Sequence, residues 1–260
     1  MEIRNKTIVI TGGGSGIGAA LARRFKAEQP RQIVVVDING NNAEMVADEL
    51  DCIAMSADVS SETDIARIIE DTESQLGPID LFCSNAGVGL APQLDSDNRE
   101  WQASWDINVM SHVYAARHLV PRMARRGGGY FLNTSSAAGL LSQIGGAAYA
   151  VTKHAAVGFG EWLAIHHAHQ GIKVSMLCPQ AVRTPMTTSD PGNDSIAAAS
   201  VDGMMEPEVL ADIVVEKLRE EPFLILPHAE VLEYMRRKTA DYDRWIGGMN
   251  RLMQTITGNR

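Results

Sequence analysis

Thr7-Ile8-Val9-Ile10 runs straight into Thr11-Gly12-Gly13-Gly14-Ser15-Gly16-Ile17-Gly18, and a helical pattern from Ala19 to Ala27 follows at once. A β-branched run, a glycine-dense turn and a helix in that order leave few folds open. The helix buries its apolar face only by folding back over a sheet, and the turn must be tight enough to allow it. The rest of the chain repeats the alternation. Ile33-Val34-Val35-Val36 is an unbroken apolar run, as a strand covered on both faces requires. Ile53 to Val59 reads as a third strand between two helices, the second opened by Ser61-Glu62-Thr63-Asp64 with a capping residue and early acids. Further strands are expected at Ile79-Asp80-Leu81-Phe82-Cys83, Tyr130-Phe131-Leu132-Asn133, Val174-Ser175-Met176-Leu177-Cys178 and Phe223-Leu224-Ile225-Leu226. The expectation is an α/β fold: one domain over residues 1–260, doubly wound, with a parallel seven-stranded sheet and helices on both faces.

A single domain of this length buries enough apolar surface to need no disulfide or metal staple. The net charge of −9 opposes a nucleic-acid partner, whose phosphates it would repel. Cys52, Cys83 and Cys178 sit singly in apolar runs and read as buried, reduced thiols. No apolar run approaches the roughly 18 residues of a membrane span, and Met1 to Lys6 lead into a strand without a cleavage site. A cytoplasmic protein is expected.

The glycines at 12, 16 and 18 carry the first chemical reading. Following a strand and opening a helix, they allow backbone to approach a pyrophosphate, which the unpaired N–H groups of the helix start then hold. Asp37 ends the second strand, 19 residues beyond Gly18, at the spacing where an acid meets an adenosine ribose. A carboxylate there accepts from two hydroxyls and repels a 2′-phosphate. Neither Ile38 beside it nor Ser15 in the loop offers a base for that phosphate, so NAD is favoured over NADP. The other reading of Asp37 is a strand-end acid that caps a turn.

Tyr149 and Lys153 lie four residues apart in a helical pattern from Ala147 to Leu163, which places them on one face. A phenol has an ordinary pKa near 10, and an adjacent ammonium is expected to lower it toward a working range. Ser135 and Ser136 end the fifth strand, at the sheet edge where such folds place ligands. A hydroxyl there polarises a substrate oxygen, although paired serines also simply terminate strands.

Together these residues resemble the short-chain dehydrogenase/reductase family over nearly the whole chain. The family's Thr-Gly-x-x-x-Gly-x-Gly matches Thr11 to Gly18, and its Asn-Asn-Ala-Gly matches Ser84-Asn85-Ala86-Gly87 with the first Asn replaced. Its Tyr-x-x-x-Lys matches Tyr149 to Lys153, and its catalytic Ser, 13 residues before the Tyr, matches Ser136 rather than Ser135. The resemblance implies a Rossmann-like fold, with Tyr149 as general acid/base and Lys153 on the nicotinamide ribose. It also implies Ser136 on the substrate oxygen, and Asn108 on a water that continues a proton relay. By itself Asn108 reads as an ordinary helix residue. The cofactor contacts it implies are Thr11, Gly12, Ser15, Gly16, Ile17, Gly18, Asp37, Ile38, Asp58, Val59, Asn85, Ala86, Gly87, Pro179, Val182 and Thr184. A homotetramer or dimer is implied too, with helices around Trp101 to Met123 and Ala150 to Gln170 at one interface.

The family's Pro-Gly after the sixth strand is Pro179-Gln180 here, and Gln180 is expected to project into the pocket and select the substrate. Ser136, Ala138, Gln143, Tyr149 and Gln180 are the expected substrate contacts, with Ile144, Val182 and Met186 nearby. Residues 186–206, which contain Pro191-Gly192, read as a substrate flap. Residues 230–260 read as a loosely amphipathic helical extension that packs on the body or on a neighbouring subunit. The leading expectation is NAD-dependent interconversion of a neutral, hydrophobic secondary alcohol and its ketone. A 3-oxoacyl thioester or other carbonyl reductase is the alternative, and a non-catalytic NAD-sensing regulator a remote one. A metal site at His166, His167 and His169 is weaker, because their spacing points around the helix, and no metal is expected.

Overall fold

All five residues of β1 (Thr7–Thr11) are buried, because strands and helices close over it on every side. The computed structural model describes residues 1–189 and 194–258. After β1 come α1 (Gly16–Ala27), β2 (Gln32–Asp37), α2 (Gly40–Leu50), β3 (Ile53–Ser56), α3 (Glu62–Leu76) and β4 (Leu81–Ser84). Then follow α4 (Asn98–Trp105), a π-helical turn (Asp106–Met110), α5 (Ser111–Arg125), β5 (Gly129–Thr134), α6 (Ala138–Leu141), α7 (Ala147–His167) and β6 (Ile172–Leu177). The chain continues through α8 (Pro185–Thr188), α9 (Asp194–Ala199), α10 (Pro207–Glu220), β7 (Leu224–Ile225), α11 (Glu230–Ala240) and α12 (Tyr242–Ile256).

The strands form one parallel sheet in the order β3-β2-β1-β4-β5-β6-β7. Side-chain alternation sends Ile8, Ile10, Ile33, Val35 and Leu132 to one face, where α1, α2 and α10 cover them. Val9, Val34, Phe82, Phe131 and Met176 face α3, α5 and α7 on the other. Phe25, Phe82 and Phe131 are fully buried, each contributing on the order of 1.5–3 kcal/mol of transfer free energy. The direction of winding reverses between β1 and β4, so a crevice opens there at the carboxyl ends of the strands.

The expected seven-stranded sheet is present, with local differences. β3 stops at Ser56, because Asp58 turns the chain instead, its Oδ1 accepting from the backbone and hydroxyl of Ser60 at 2.9 and 2.7 Å. β7 is two residues long. The amphipathic extension is two helices, broken where Asp241 adopts extended backbone and caps α12 through the Arg244 N–H at 3.0 Å. The flap carries α8 and α9, and its base is stitched to the chain after β6, Arg183 N donating to Met205 O and Met205 N to Ala181 O. Pro191-Gly192 lie outside the described residues. Among those residues, no helix is long and apolar enough to cross a membrane.

Candidate active site

The glycine turn is shaped by close approach. A Cβ on Gly18 would stand 2.1 Å from the Gly12 carbonyl oxygen, and Gly16 holds a left-handed φ of +50° against Thr184. Ser15 caps α1 without a side-chain hydrogen bond, so the first-turn N–H groups stay open for an anion. Thr11 works from behind: its hydroxyl donates to Cys83 O and accepts from Asn85 N and Ala86 N, locking β1 to the chain after β4. Asn85 extends the brace, donating to Thr11 O and Gly12 O and accepting from Thr134 Oγ1.

A cleft of about 400 Å³ runs along these strand ends. Gly12, Ser15, Gly16, Ile17, Asp37, Ile38, Asp58, Val59, Asn85, Ala86, Gly87, Tyr149, Lys153, Pro179, Val182 and Thr184 all line it. Thr11 and Gly18, also expected as contacts, support it from outside the lining. Asp37 caps a turn, as one of its readings requires, and lines the cleft. Its Oδ2 accepts from Gly14 N and its Oδ1 from Asn39 N, both at 3.0 Å, while the carboxylate faces the cleft. Val88, Ile107, Thr134 and Pro185 line the cleft as well. Sequence reasoning missed these four, because nothing in their residue type marks them.

At one end of the cleft α7 presents Tyr149 and Lys153, and the chain beyond β5 presents Ser135 and Ser136. The Lys153 ammonium donates to Thr134 O at 3.3 Å and stands over the Tyr149 ring, 5.4 Å from its centroid. Ser135 is absorbed structurally, its hydroxyl donating to Lys153 O at 3.0 Å. Ser136 Oγ lies 3.3 Å from Pro179 O and accepts from Ala138 N, and its hydroxyl favours the Tyr149 phenolate. Gly87 packs between the Asn108 amide and the Lys153 ammonium, where a Cβ would stand 3.2 Å from each. Asn108 lies in the π-helical turn, an irregularity often found at functional sites. Its amide exchanges hydrogen bonds with Val88 N and O at 2.9 Å and donates to Thr152 Oγ1 on α7 at 3.1 Å. The side chain thus joins three segments of the site.

The electrostatics correct one expectation. Burial is the largest influence on the Tyr149 phenol and raises its pKa; the Ser136 hydroxyl opposes the rise only in part. Burial likewise pulls Lys153 down to about 8, because the interior disfavours a charge that meets the Thr134 carbonyl and the Tyr149 ring but no carboxylate among the described residues. His112, buried behind Lys153, is pushed down to about 3 by burial first and by the ammonium second, and is neutral. Burial pushes the Cys178 thiol up to about 12.

A second cavity of about 390 Å³ adjoins the cleft, and the two share Ser136, Tyr149, Gln180, Met186 and Thr187. Ala138, Gln143 and Gln180, expected as substrate contacts, line it with Ser136 and Tyr149; Val182 lines the cleft instead, and Ile144 lines neither. Gln143 reaches the flap, its Nε2 donating to Ser195 O at 2.7 Å. Gln180 does not project freely. Its Nε2 donates to Asp202 at 3.0 Å, and Asp202 in turn accepts from the Tyr234 hydroxyl. Tyr234, Arg237, Trp245, Met249 and Leu252 supply the far wall from α11 and α12. Their apolar spacing is visible in the sequence, but nothing in it says that they face a cavity.

Other expectations resolve simply. Arg183 pairs with Glu206 at 2.7 Å. His166 Nδ1 meets Trp162 O and its ring stacks on Trp162, while His167 meets Gln170. No group of three potential metal ligands exists among the described residues. All three cysteines are free, Cys83 and Cys178 buried and Cys52 half-buried.

The model of the family described as short chain dehydrogenase matches residues 6–194. The chain belongs to this family. It is 31% identical over 255 residues to 1-deoxy-11-beta-hydroxypentalenate dehydrogenase of Streptomyces exfoliatus, covering 95% of this chain and 91% of that one. Meso-2,3-butanediol dehydrogenase of Serratia marcescens is 30% identical, with 82% of this chain and 87% of that protein covered. Among solved structures, a short chain dehydrogenase/reductase from Burkholderia phymatum in complex with NAD superposes with a TM-score of 0.86 at 26% identity, over 94% and 96% of the two chains. A 7α-hydroxysteroid dehydrogenase complexed with NADH and 7-oxo glycochenodeoxycholic acid gives 0.78 at 25% identity, over 86% and 93%. As a short chain dehydrogenase, the protein is an oxidoreductase of the class that interconverts alcohols and carbonyl compounds.

Proposed function

We propose that this short chain dehydrogenase uses NAD to interconvert an apolar secondary alcohol and its ketone, with Tyr149 as the general acid/base. The observation that carries this reading is the junction of the two cavities on the Tyr149 and Ser136 side chains. One cavity has the open helix N-terminus and glycine cradle that suit a pyrophosphate; the other is largely apolar. The relatives' names, each carrying a hydroxyl or diol, support the same reaction class.

The residues fit a dinucleotide. Gly12 to Ile17 would take its phosphates, Asp37 its adenosine ribose, Asp58 and Val59 its base, and Lys153 its second ribose. Bound there, the nicotinamide supplies hydride exchange with a carbinol carbon. Ser136 then holds the substrate oxygen while Tyr149 takes or returns its proton, and the Ser136 hydroxyl favours the phenolate form. NAD over NADP is supported by Asp37 and by the cleft's charges: among the described lining residues Lys153 is the sole cation, and it stands at the Tyr149 end. Val151, Trp162 and Ile165 are exposed along α7, which supports a homotetramer or dimer through that face.

The test is to screen secondary alcohols with NAD and with NADP, then to measure Tyr149→Phe. The variant should lose 10²- to 10⁴-fold in kcat, the range for a lost general base, while binding NADH as before. Undiminished turnover in Tyr149→Phe, or preference for NADP, sinks the corresponding half of the reading.

A further inference from the structure

Resting on that reading, we propose that Arg237 selects substrates bearing a carboxylate remote from the reacting carbon, so that the substrate class is an apolar hydroxy or oxo acid. The second cavity extends from Tyr149 and Ser136 to α11 and α12. Its walls include Leu141, Ile196, Val201, Trp245, Met249 and Leu252, and Arg237 is the sole charged side chain among the described residues that line it. A long apolar body therefore fits between a reacting end at the tyrosine and a single cation at the far wall.

Two other cations, Lys238 and Arg183, are committed elsewhere. Lys238 donates to Leu140 O at 2.7 Å, and Arg183 is paired with Glu206. Arg237 is held in aim but not saturated. Its Nε donates to Glu233 at 2.9 Å, and its guanidinium lies over the Tyr234 ring, 5.9 Å from the centroid. Tyr234 lines the same cavity and is itself fixed by Asp202. Among the described residues no acceptor meets the two Nη groups, which form the outer fork of the guanidinium. That fork matches a carboxylate with two parallel hydrogen bonds. The Glu233 pair is exposed on one helix, the weak kind of ion pair, so it orients the arginine without neutralising its use. In a chain of net charge −9, most of the surface repels an anion, which sharpens the preference for an unsaturated guanidinium at the end of an apolar cavity.

The experiment is calorimetric titration of the NAD-bound enzyme, which has no hydride to give an oxo group, with pairs of oxo acids and their methyl esters, built on one, two and three fused alicyclic rings. For at least one skeleton, the wild type should bind the acid ten-fold or more tightly than the ester, and 0.5 M NaCl should erode that ratio. Arg237→Gln should bring the ratio near one, and Arg237→Lys should keep part of it, because charge survives without the fork. Circular dichroism and NADH binding check that both variants fold. An ester that binds as tightly as its acid on every skeleton, binding of neither, or an acid preference that survives Arg237→Gln overturns the proposal. None of these readouts needs turnover, so a failure to oxidise any alcohol would sink the proposed reaction instead and be told apart.

Discussion

The two cavities share a floor of Tyr149 and Ser136 but are built by different physics. The dinucleotide cleft takes its shape from backbone: strand ends locked in register, a glycine turn, and loops cross-braced by the side chains of Thr11 and Asn85. The second cavity takes its shape from side chains on helices that lie far apart in the chain, α6 and α7 on one wall and α9, α11 and α12 on another. Backbone requirements restrict residue type, whereas side-chain walls accept any apolar residue of suitable volume. Damage to the first should therefore be severe and insensitive to substrate. Damage to the second should be mild and should depend on which substrate is used.

The strongest test of this contrast is Gly18→Ala. The new methyl would stand 2.1 Å from a backbone oxygen that cannot rotate away, so the turn itself must shift. NADH affinity should fall 100-fold or more, and urea unfolding should show a loss of about 1–3 kcal/mol, the usual cost of overpacking. Loss of activity should be equal for every alcohol tried. A selective loss would show that the turn also shapes the second cavity.

This contrast also governs what was legible beforehand. The strands, the glycine turn, Asp37 and the Tyr149–Lys153 pair could be read because period, spacing and glycine geometry mark them locally. Of sixteen expected cleft contacts beyond the catalytic pair, the lining retains all but Thr11 and Gly18, which shape it from behind. Asp202, Tyr234 and Arg237 went unread. Their significance arises only when the flap and α11 meet over the chain after β6, a tertiary contact that no local pattern encodes. The direction of the Tyr149 shift was missed for a related reason: spacing puts an ammonium nearby but says nothing of how dry the site is.

Dryness can be measured through Lys153. Its folded pKa of about 8 lies below the ordinary 10.5, so the unfolded chain holds more protons between those values. Stability from this group thus rises with pH from about 8 to 10.5, and below 8 the full cost of a buried charge is present. Folded Cys178, at about 12, and His112, at about 3, keep one charge state across that window, and Tyr149 is shifted upward; the unfolded thiol and phenol titrate inside it, alike in the wild type and in a Lys153 variant, so a comparison of the two isolates the ammonium. Lys153→Met should abolish turnover. Relative to it, the wild type should gain on the order of 3 kcal/mol between pH 7.5 and 10.5 in urea melts. A constant gap would mean that water reaches the ammonium and that the two cavities meet in a wetter place than the packing indicates.

Gln180→Gly should have the smallest effect, and it probes the wall rather than the floor. It removes the hydrogen bond to Asp202, a partly exposed contact whose loss costs about 0.5–1.5 kcal/mol, so KM should change by no more than about ten-fold. The backbone stays in place, because Gln180 N donates to His228 Nδ1 at 3.2 Å and burial lowers the pKa of that imidazole, favouring the neutral form that accepts. NADH binding should therefore hold while relative activities across a panel of alcohols shift, the bulkier ones most, since Asp202 also steadies Tyr234. If every alcohol keeps its rank, the Gln180–Asp202 bond merely fastens the flap. The selectivity of the second cavity would then reside in α11 and α12 alone.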